Sequence, residues 1–281
     1  MAALDGPVGL ERAPAVREKA MKLAGKVAII GGASRGIGRD VAVALAAEGA
    51  KVVVVARSEV EPDPRLPGTI HQTVADIQAA GGEAIALKAD ISDEAQVEAM
   101  AQCALEAYGR IDILFNNAAV LVPRGILDLP TRHIDLHNRI NIKGPILCIR
   151  AVLPTMLHQQ QGWVINVSSR AAVFPGPGPY KDVAPSRAFM YAATKAAVER
   201  LTQGLAMEYQ EQGISFNVLS PIGRIRTPGN VFGMTKPGET PEPFEEAIAM
   251  GKSTVFICSQ SPKTFTGNIL FDEDVVRQYD L

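Results

Sequence analysis

From residue 26 onward, short apolar runs alternate with longer stretches in which apolar residues recur at helical spacing. Residues 27–30 form an apolar run that leads into glycines. Residues 51–56 contain four consecutive valines, the pattern of a strand buried on both faces. Further strands are predicted over 84–88, 111–115, 163–167, 215–219 and 267–271. Helices are predicted over 37–48, 69–80, 94–108, 134–158 and 191–210, with Gly81-Gly82 and Gly109 as stop signals. Strands separated by helices build parallel βαβ units. The predicted fold class is therefore α/β: a doubly wound parallel sheet of Rossmann type, in three layers and a single domain. No repeat or Ser/Gly linker divides the chain. The Ala/Pro/charge-rich residues 1–22 predict a flexible arm ahead of one domain over 23–281. Two Pro/Gly-rich segments, 174–186 and 228–246, follow predicted strands, on the edge where open α/β sheets bind ligands, and are expected to be substrate loops.

Composition narrows the function classes. With 47% apolar residues, 21% charged residues and a net charge of −2, the chain of 281 residues has nothing that points to nucleic acid or an anionic membrane surface. No unbroken apolar run approaches the ~20 residues of a membrane span. The first twenty residues lack the long apolar region of a signal peptide, and the ending Tyr-Asp-Leu is not a peroxisomal address. Cys103, Cys148 and Cys258 are isolated and odd in number, which suits a reducing cytoplasm and argues against a disulfide framework or zinc site. His133 and His137 have i,i+4 spacing but no third ligand, so a solvated helix face is expected and no metal. Trp163 is expected in the core; Met190, Val173 and Phe174 are expected to pack, or else to wall an apolar substrate site.

GGASRGIG at 31–38 follows the first predicted strand and opens the first predicted helix. Gly32, Gly36 and Gly38, with Ser34 and Ile37 between them, would let a dinucleotide's phosphates approach the free N–H groups at the helix start. An ordinary glycine-rich turn would read the same way outside this context. At the end of the second strand, NAD-preferring folds carry a carboxylate for the ribose 2′-hydroxyl. Here Ala56 and Arg57 stand there, with Arg35 in the glycine turn. Two guanidinium groups and no opposing carboxylate suit a 2′-phosphate, so NADP is the expected cofactor and NAD the alternative.

GGASRGIG, Asn116-Asn117-Ala118-Ala119, Asn141, Ser168-Ser169 and Tyr191-Ala-Ala-Thr-Lys195, in this order and spacing, resemble the short-chain dehydrogenase/reductase family. The resemblance covers about residues 26–271 and implies an oxidoreductase acting on an alcohol/carbonyl pair. It implies a catalytic set of Asn141, Ser169, Tyr191 and Lys195, with Ser169 preferred over Ser168 as the second of the pair. Tyr191 would be the acid/base, Ser169 would bond the substrate oxygen, Lys195 would also hold the nicotinamide ribose, and Asn141 would hold a relay water. Tyr191 and Lys195 are four apart and share one helix face, so the ammonium is expected to lower the phenol's pKa. The resemblance further implies cofactor contacts from Asp90, Ile91, Asn117, Ala118, Ile222 and Thr227, and has Asn116 brace the central strands. A homodimer or homotetramer is implied as well.

The pattern departs from the family at several points. Gly31 replaces a threonine that braces the turn, Ala119 replaces a glycine, and Ser169 and Tyr191 stand 22 residues apart. ARSEVEPDPRLPGTI at 56–70 and FTGNILFDEDVV at 265–276 resemble a branch with hydroxysteroid-dehydrogenase-like and terpenoid-alcohol dehydrogenases. That branch implies a hydrophobic alcohol or carbonyl substrate. Asp272-Glu273-Asp274 is expected to be structural or part of an interface. A catalytically quiet NADP-binding sensor or scaffold is the competing reading, and the complete Asn/Ser/Tyr/Lys set argues against it.

Overall fold

In a computed structural model of the chain, residues 20–61, 63–180, 187–225, 227–229 and 246–281 are described. Seven strands form one parallel sheet: β1 (Val27–Gly31), β2 (Lys51–Ala56), β3 (Glu83–Lys88), β4 (Ile113–Asn116), β5 (Gly162–Val167), β6 (Ile214–Ser220) and β7 (Ile269–Phe271). Their order is β3-β2-β1-β4-β5-β6-β7. The chain first winds outward from β1 to β3, then returns to lay β4 on the other side of β1. The crevice between β1 and β4 is thus the topological switch point, where such sheets bind ligands.

Alternate residues of each strand feed two cores. Ile30, Val52, Val54, Ile113 and Phe115 pack on the side of α1 (Gly36–Ala47) and α7 (Ile248–Ser259). Ile29, Val53, Val55, Leu114 and Phe216 pack toward α3 (Glu94–Tyr108) and α5 (Gly144–Gln159). Burying each such side chain is worth roughly 1.5–3 kcal/mol, so the consecutive valines of β2 serve both layers. The start of the domain is anchored to the end of α1: the Lys22 amide bonds the Glu48 carboxylate at 3.2 Å and Leu23 is fully buried. Residues 1–19 of the expected arm, like 181–186 and 230–245 of the two expected loops, lie outside the described residues.

Three helices complete the frame for the site. α2 (Ile70–Ala79) is capped by the Thr69 side chain, and α6 (Phe189–Tyr209) runs beside β5 and β6. The helix expected over 134–158 is continuous from α4 (Thr131–His137) through a π segment (Asn138–Lys143) into α5. Local π turns widen a helix and concentrate at functional sites. By length and composition this 29-residue helical stretch could cross a membrane, with a mean hydropathy of 1.3 in its best window. Counting unbroken apolar runs missed it because charged residues such as Arg139, Lys143 and Arg150 interrupt the sequence. Half of that window is buried against the sheet and its neighbours, which accounts for its apolar character here.

Two helices have no counterpart in the sequence pattern. α7 is apolar nearly all round because it is covered on most sides, so it shows no helical stripe. α8 (Asp272–Tyr279) carries Asp272, Glu273 and Asp274 in its first turn, where the helix dipole favours anions.

Candidate active site

The glycine turn joins β1 to α1 under close steric limits. A Cβ on Gly32, whose φ is +72°, would lie 2.9 Å from the Ala118 backbone; one on Gly38 would lie 2.4 Å from the Gly32 carbonyl oxygen. The bracing lost with a threonine at position 31 comes from elsewhere. Asn117 Nδ2 donates to the carbonyls of Gly31 (3.3 Å) and Gly32 (3.1 Å), and the buried Thr73 hydroxyl donates to the Ala33 carbonyl (2.8 Å). Ala119 is not among the residues at positive φ, so the Cβ at that position is accommodated.

This turn fits a dinucleotide's phosphates. The N-cap residue of α1, Arg35, makes no side-chain hydrogen bond to the first turn, which leaves its N–H groups to face an anion. Thr227 closes the other side: its Cγ2 lies 2.7 Å from the point a Gly36 Cβ would occupy. Arg35 itself donates to the carbonyls of Leu66 (2.7 Å) and Gly68 (3.1 Å), so the 58–69 loop fixes its guanidinium. Ser34 and Ile91 are buried near this edge.

The expectation of unopposed guanidinium groups needs correction. Arg57 Nη1 stands 3.8 Å from Asp90 Oδ2, because the parallel pairing of β2 with β3 brings their carboxyl ends side by side. Burial pushes the Asp90 carboxyl up. Hydrogen bonds from the Ser92 amide and hydroxyl, with Arg57 nearby, outweigh that and hold it below the usual range. Arg57 is still 68% exposed, so this contact is weak and the side chain retains donors for a ligand.

The catalytic candidates converge at the carboxyl end of β5. Ser168 and Ser169 point apart, as successive residues leaving a strand do. The Ser168 hydroxyl is buried and donates to Glu199 Oε1 at 2.7 Å. Ser169 Oγ accepts the Ala171 amide at 3.2 Å, and its hydroxyl lies near enough to the Tyr191 phenol to favour the phenolate. Lys195, one turn along α6, is 3% exposed and donates to the Val167 carbonyl at 2.7 Å. Its nitrogen lies 5.5 Å from the centroid of the Tyr191 ring.

Electrostatics here differ from the expectation. Burial pushes the Tyr191 phenol above its usual range, and the neighbouring Ser169 hydroxyl only partly offsets it. Burial also lowers the Lys195 ammonium to about 8, against the pull of the Glu199 carboxylate. The ammonium is directed at Val167 rather than at the phenol, so desolvation decides the Tyr191 shift. Of its three N–H groups, one has an acceptor among the described residues. The other two are buried donors that ribose hydroxyls would satisfy.

Asn141, 1% exposed in the π segment, uses its side chain as a brace. Its Oδ1 accepts the Val120 amide (2.8 Å), and its Nδ2 donates to the Val120 carbonyl (2.9 Å) and to Thr194 Oγ1 (3.1 Å). Asn116 donates to Asn166, which donates to Thr202, tying β4, β5 and α6 together. Ile222 follows β6 with both main-chain groups engaged: its amide donates to Asp272 Oδ1 (2.8 Å) and its carbonyl accepts Arg170 (3.3 Å). The acidic ending is thus a structural clamp, since the buried Asp272 ties the β6 loop to α8.

Two contributors lack a signal in the sequence pattern. His137 is fully buried, not on a solvated face. Its Nε2 accepts the Val122 amide (3.2 Å) while Nδ1–H donates to the His133 carbonyl (2.7 Å), which fixes the neutral tautomer. It holds the loop after β4 against the catalytic helices. Glu199 lies one turn beyond Lys195, and only the fold reveals that it faces Ser168. Conversely, Val173 and Phe174 do not pack: they are 54% and 82% exposed. No cluster of three metal-ligating side chains occurs among the described residues.

A family model for the short chain dehydrogenases matches residues 26–231, across the glycine turn, the asparagine pair and the Ser/Tyr/Lys set. The chain belongs to the short-chain dehydrogenase/reductase family. Proteins of this family are NAD(P)-binding oxidoreductases. Human hydroxysteroid dehydrogenase-like protein 2 is 32% identical over 92% of this chain, and the zebrafish (Danio rerio) protein 33% over 92%. The chain spans 59% of the length of either relative. Among solved structures, a putative dehydrogenase from Xanthomonas campestris matches with a TM-score of 0.80 and 34% identity, covering 92% of this chain and 91% of that one. A 7α-hydroxysteroid dehydrogenase, complexed with NADH and 7-oxo glycochenodeoxycholic acid, matches with a TM-score of 0.76 at 28% identity, covering 90% and 94%.

Proposed function

We propose that this short-chain dehydrogenase/reductase interconverts a hydrophobic alcohol and its ketone or aldehyde with NADP(H), Tyr191 acting as the general acid/base. The observation that carries the reading is the buried Lys195, held on the Val167 carbonyl beside Ser168-Ser169 with its nitrogen 5.5 Å from the Tyr191 ring. The nicotinamide, when bound, supplies or accepts the hydride. Ser169 and Tyr191 hold the substrate oxygen from two sides. In reduction the Tyr191 hydroxyl gives its proton to the developing alkoxide, a role that its raised pKa in the free protein already suits. In oxidation the phenolate must form, and the Lys195 ammonium together with the oxidised cofactor's charge favours it. With its side chain engaged on three sides, Asn141 leaves a relay water to its main-chain carbonyl.

NADP over NAD is supported by Ala56 in place of a carboxylate, by Arg57 beside it and by the pinned Arg35. A hydrophobic substrate is supported by Leu121, Val173, Phe174 and Phe189, which are 41–82% exposed on the segments around Ser169 and Tyr191. Cys103, Cys148 and Cys258 are free thiols, in keeping with a reducing cytoplasm. Exposed Met207 on α6 supports a homodimer or homotetramer. The test is nicotinamide absorbance over a panel of hydrophobic alcohols and ketones, with NADP(H) and NAD(H), beside Tyr191→Phe. Turnover that disappears in the variant is expected. Tight cofactor binding without turnover across the panel would instead favour a sensor or scaffold.

A further inference from the structure

Four segments meet at the carboxyl edge around Ser169 and Tyr191, and hydrogen bonds stitch them together. The loop at 120–128 is held by Asn141 through Val120, and its Arg124 amide donates to the Arg187 carbonyl at 2.9 Å. The turn after Ser169 reaches the β6 loop through Arg170 and the Ile222 carbonyl. Residues 187–191 lead directly into the catalytic tyrosine. Arg187 sits at φ +52°, a backbone state that side chains rarely adopt, and its carbonyl is fixed by Arg124.

The charge on these segments is one-sided. Residues 120–128, 169–175, 187–191 and 221–225 contain Arg124, Arg170, Arg187 and Arg224 but a single acid, Asp128. The whole chain, by contrast, has 28 basic and 30 acidic residues. All four arginines are exposed, and Arg124, Arg170 and Arg187 make no ion pair among the described residues, Arg170 bonding only the Ile222 carbonyl, whereas Arg39 and Arg110 are held by carboxylates. Exposed Phe174 and Phe189 share these segments with the arginines. Apolar and cationic side chains exposed together on the segments around Ser169 and Tyr191 match an amphipathic molecule: a hydrophobic body with an anionic end.

We propose that the substrate carries an anionic group, a carboxylate or phosphate remote from the reacting carbon, which the Arg124/Arg170/Arg187 rim receives while the apolar body lies toward Ser169 and Tyr191. This rests on the proposed redox function for its chemistry but not for its binding site. Two sources of such charge are a free carboxylate and the phosphates of a coenzyme A thioester. Either would place its charge at the rim; they differ in which side of the hydrophobic body extends outward.

The test compares matched ligands on wild-type protein and on Arg124→Gln/Arg187→Gln. Turnover of a medium-chain ketone is measured beside the same ketone bearing a terminal carboxylate and its coenzyme A thioester, at low and high salt. Binding of decanoate and decanol to the NADP⁺ complex is measured by calorimetry, with no need for turnover. The expected result is that the better anionic form exceeds the neutral one about tenfold in kcat/KM, and decanoate exceeds decanol likewise in affinity, the lower end for a charge-assisted contact. That preference should shrink at high salt and vanish in the double variant. Whichever of the carboxylate and the thioester is preferred identifies the source of the charge. Equal binding of decanoate and decanol, or a preference unchanged by the double variant, would overturn the proposal whether or not any ketone is reduced. If decanoate binds as expected while no ketone turns over, the rim stands and the redox reading fails.

Discussion

The two halves of the sheet's carboxyl edge are built differently. On the β1–β2–β3 side the carbonyls of the glycine turn have fixed partners: Asn117 and Thr73 hold them, and Leu66 and Gly68 hold Arg35, while the first-turn N–H groups of α1 lack a side-chain cap. On the β4–β5–β6 side the braces lie deep, at Asn141, His137 and Glu199, while the surface above them shows exposed Phe174 and Phe189 and exposed arginines. The first half fits a dinucleotide, whose phosphates the open N–H groups at the start of α1 would receive. The second keeps its reactive groups rigid and leaves the surround to define the substrate.

That contrast can be broken from either side. Lys195→Met removes the group that serves both halves, so it should cost roughly 10²–10⁴-fold in kcat, the range of acid–base assistance, and also weaken NADPH binding in a fluorescence titration. Gly38→Ala attacks the cofactor half alone. Its Cβ would meet backbone at 2.4 Å, so melting should report a loss of roughly 1–3 kcal/mol, together with poorer cofactor binding. Arg57→Ala should raise the KM for NADPH about 10-fold or more while leaving that for NADH nearly unchanged, as expected for one charge-assisted contact.

The smallest effect sharpens the account of the catalytic half. The Lys195 ammonium is charged below about 8 and loses its proton above, so kcat/KM for reduction should fall as pH rises through that region. Glu199→Gln keeps an acceptor for Ser168 but removes the carboxylate that holds Lys195 protonated. Its alkaline limb should therefore move to lower pH, with kcat at neutral pH changed only a few-fold. A merely structural role for Glu199 would leave the limb in place.

Much of this was legible in the sequence because local chemistry and fold agree there. The four valines of β2 can only be a strand buried on both faces, and GGASRGIG between strand and helix leaves little freedom to its backbone. The Tyr191–Lys195 spacing is a helix repeat. What the sequence withheld depends on contacts between distant segments. His137 looks like a surface histidine until the loop at 120–128 folds over it, and Asp90 opposes Arg57 only once β2 pairs with β3. The rise of the Tyr191 pKa follows from burial, which spacing does not report. α7 lacks a stripe because it is covered on most sides.

In the proposed reaction Tyr191 transfers the proton, while the glycine turn and Lys195 hold the cofactor. The most direct measurement is Tyr191→Phe assayed for NADPH-dependent ketone reduction alongside NADPH binding. The account predicts that kcat falls roughly 10²–10⁴-fold while the dissociation constant for NADPH stays within a few-fold. A variant that still reduces ketone at the wild-type rate would contradict it.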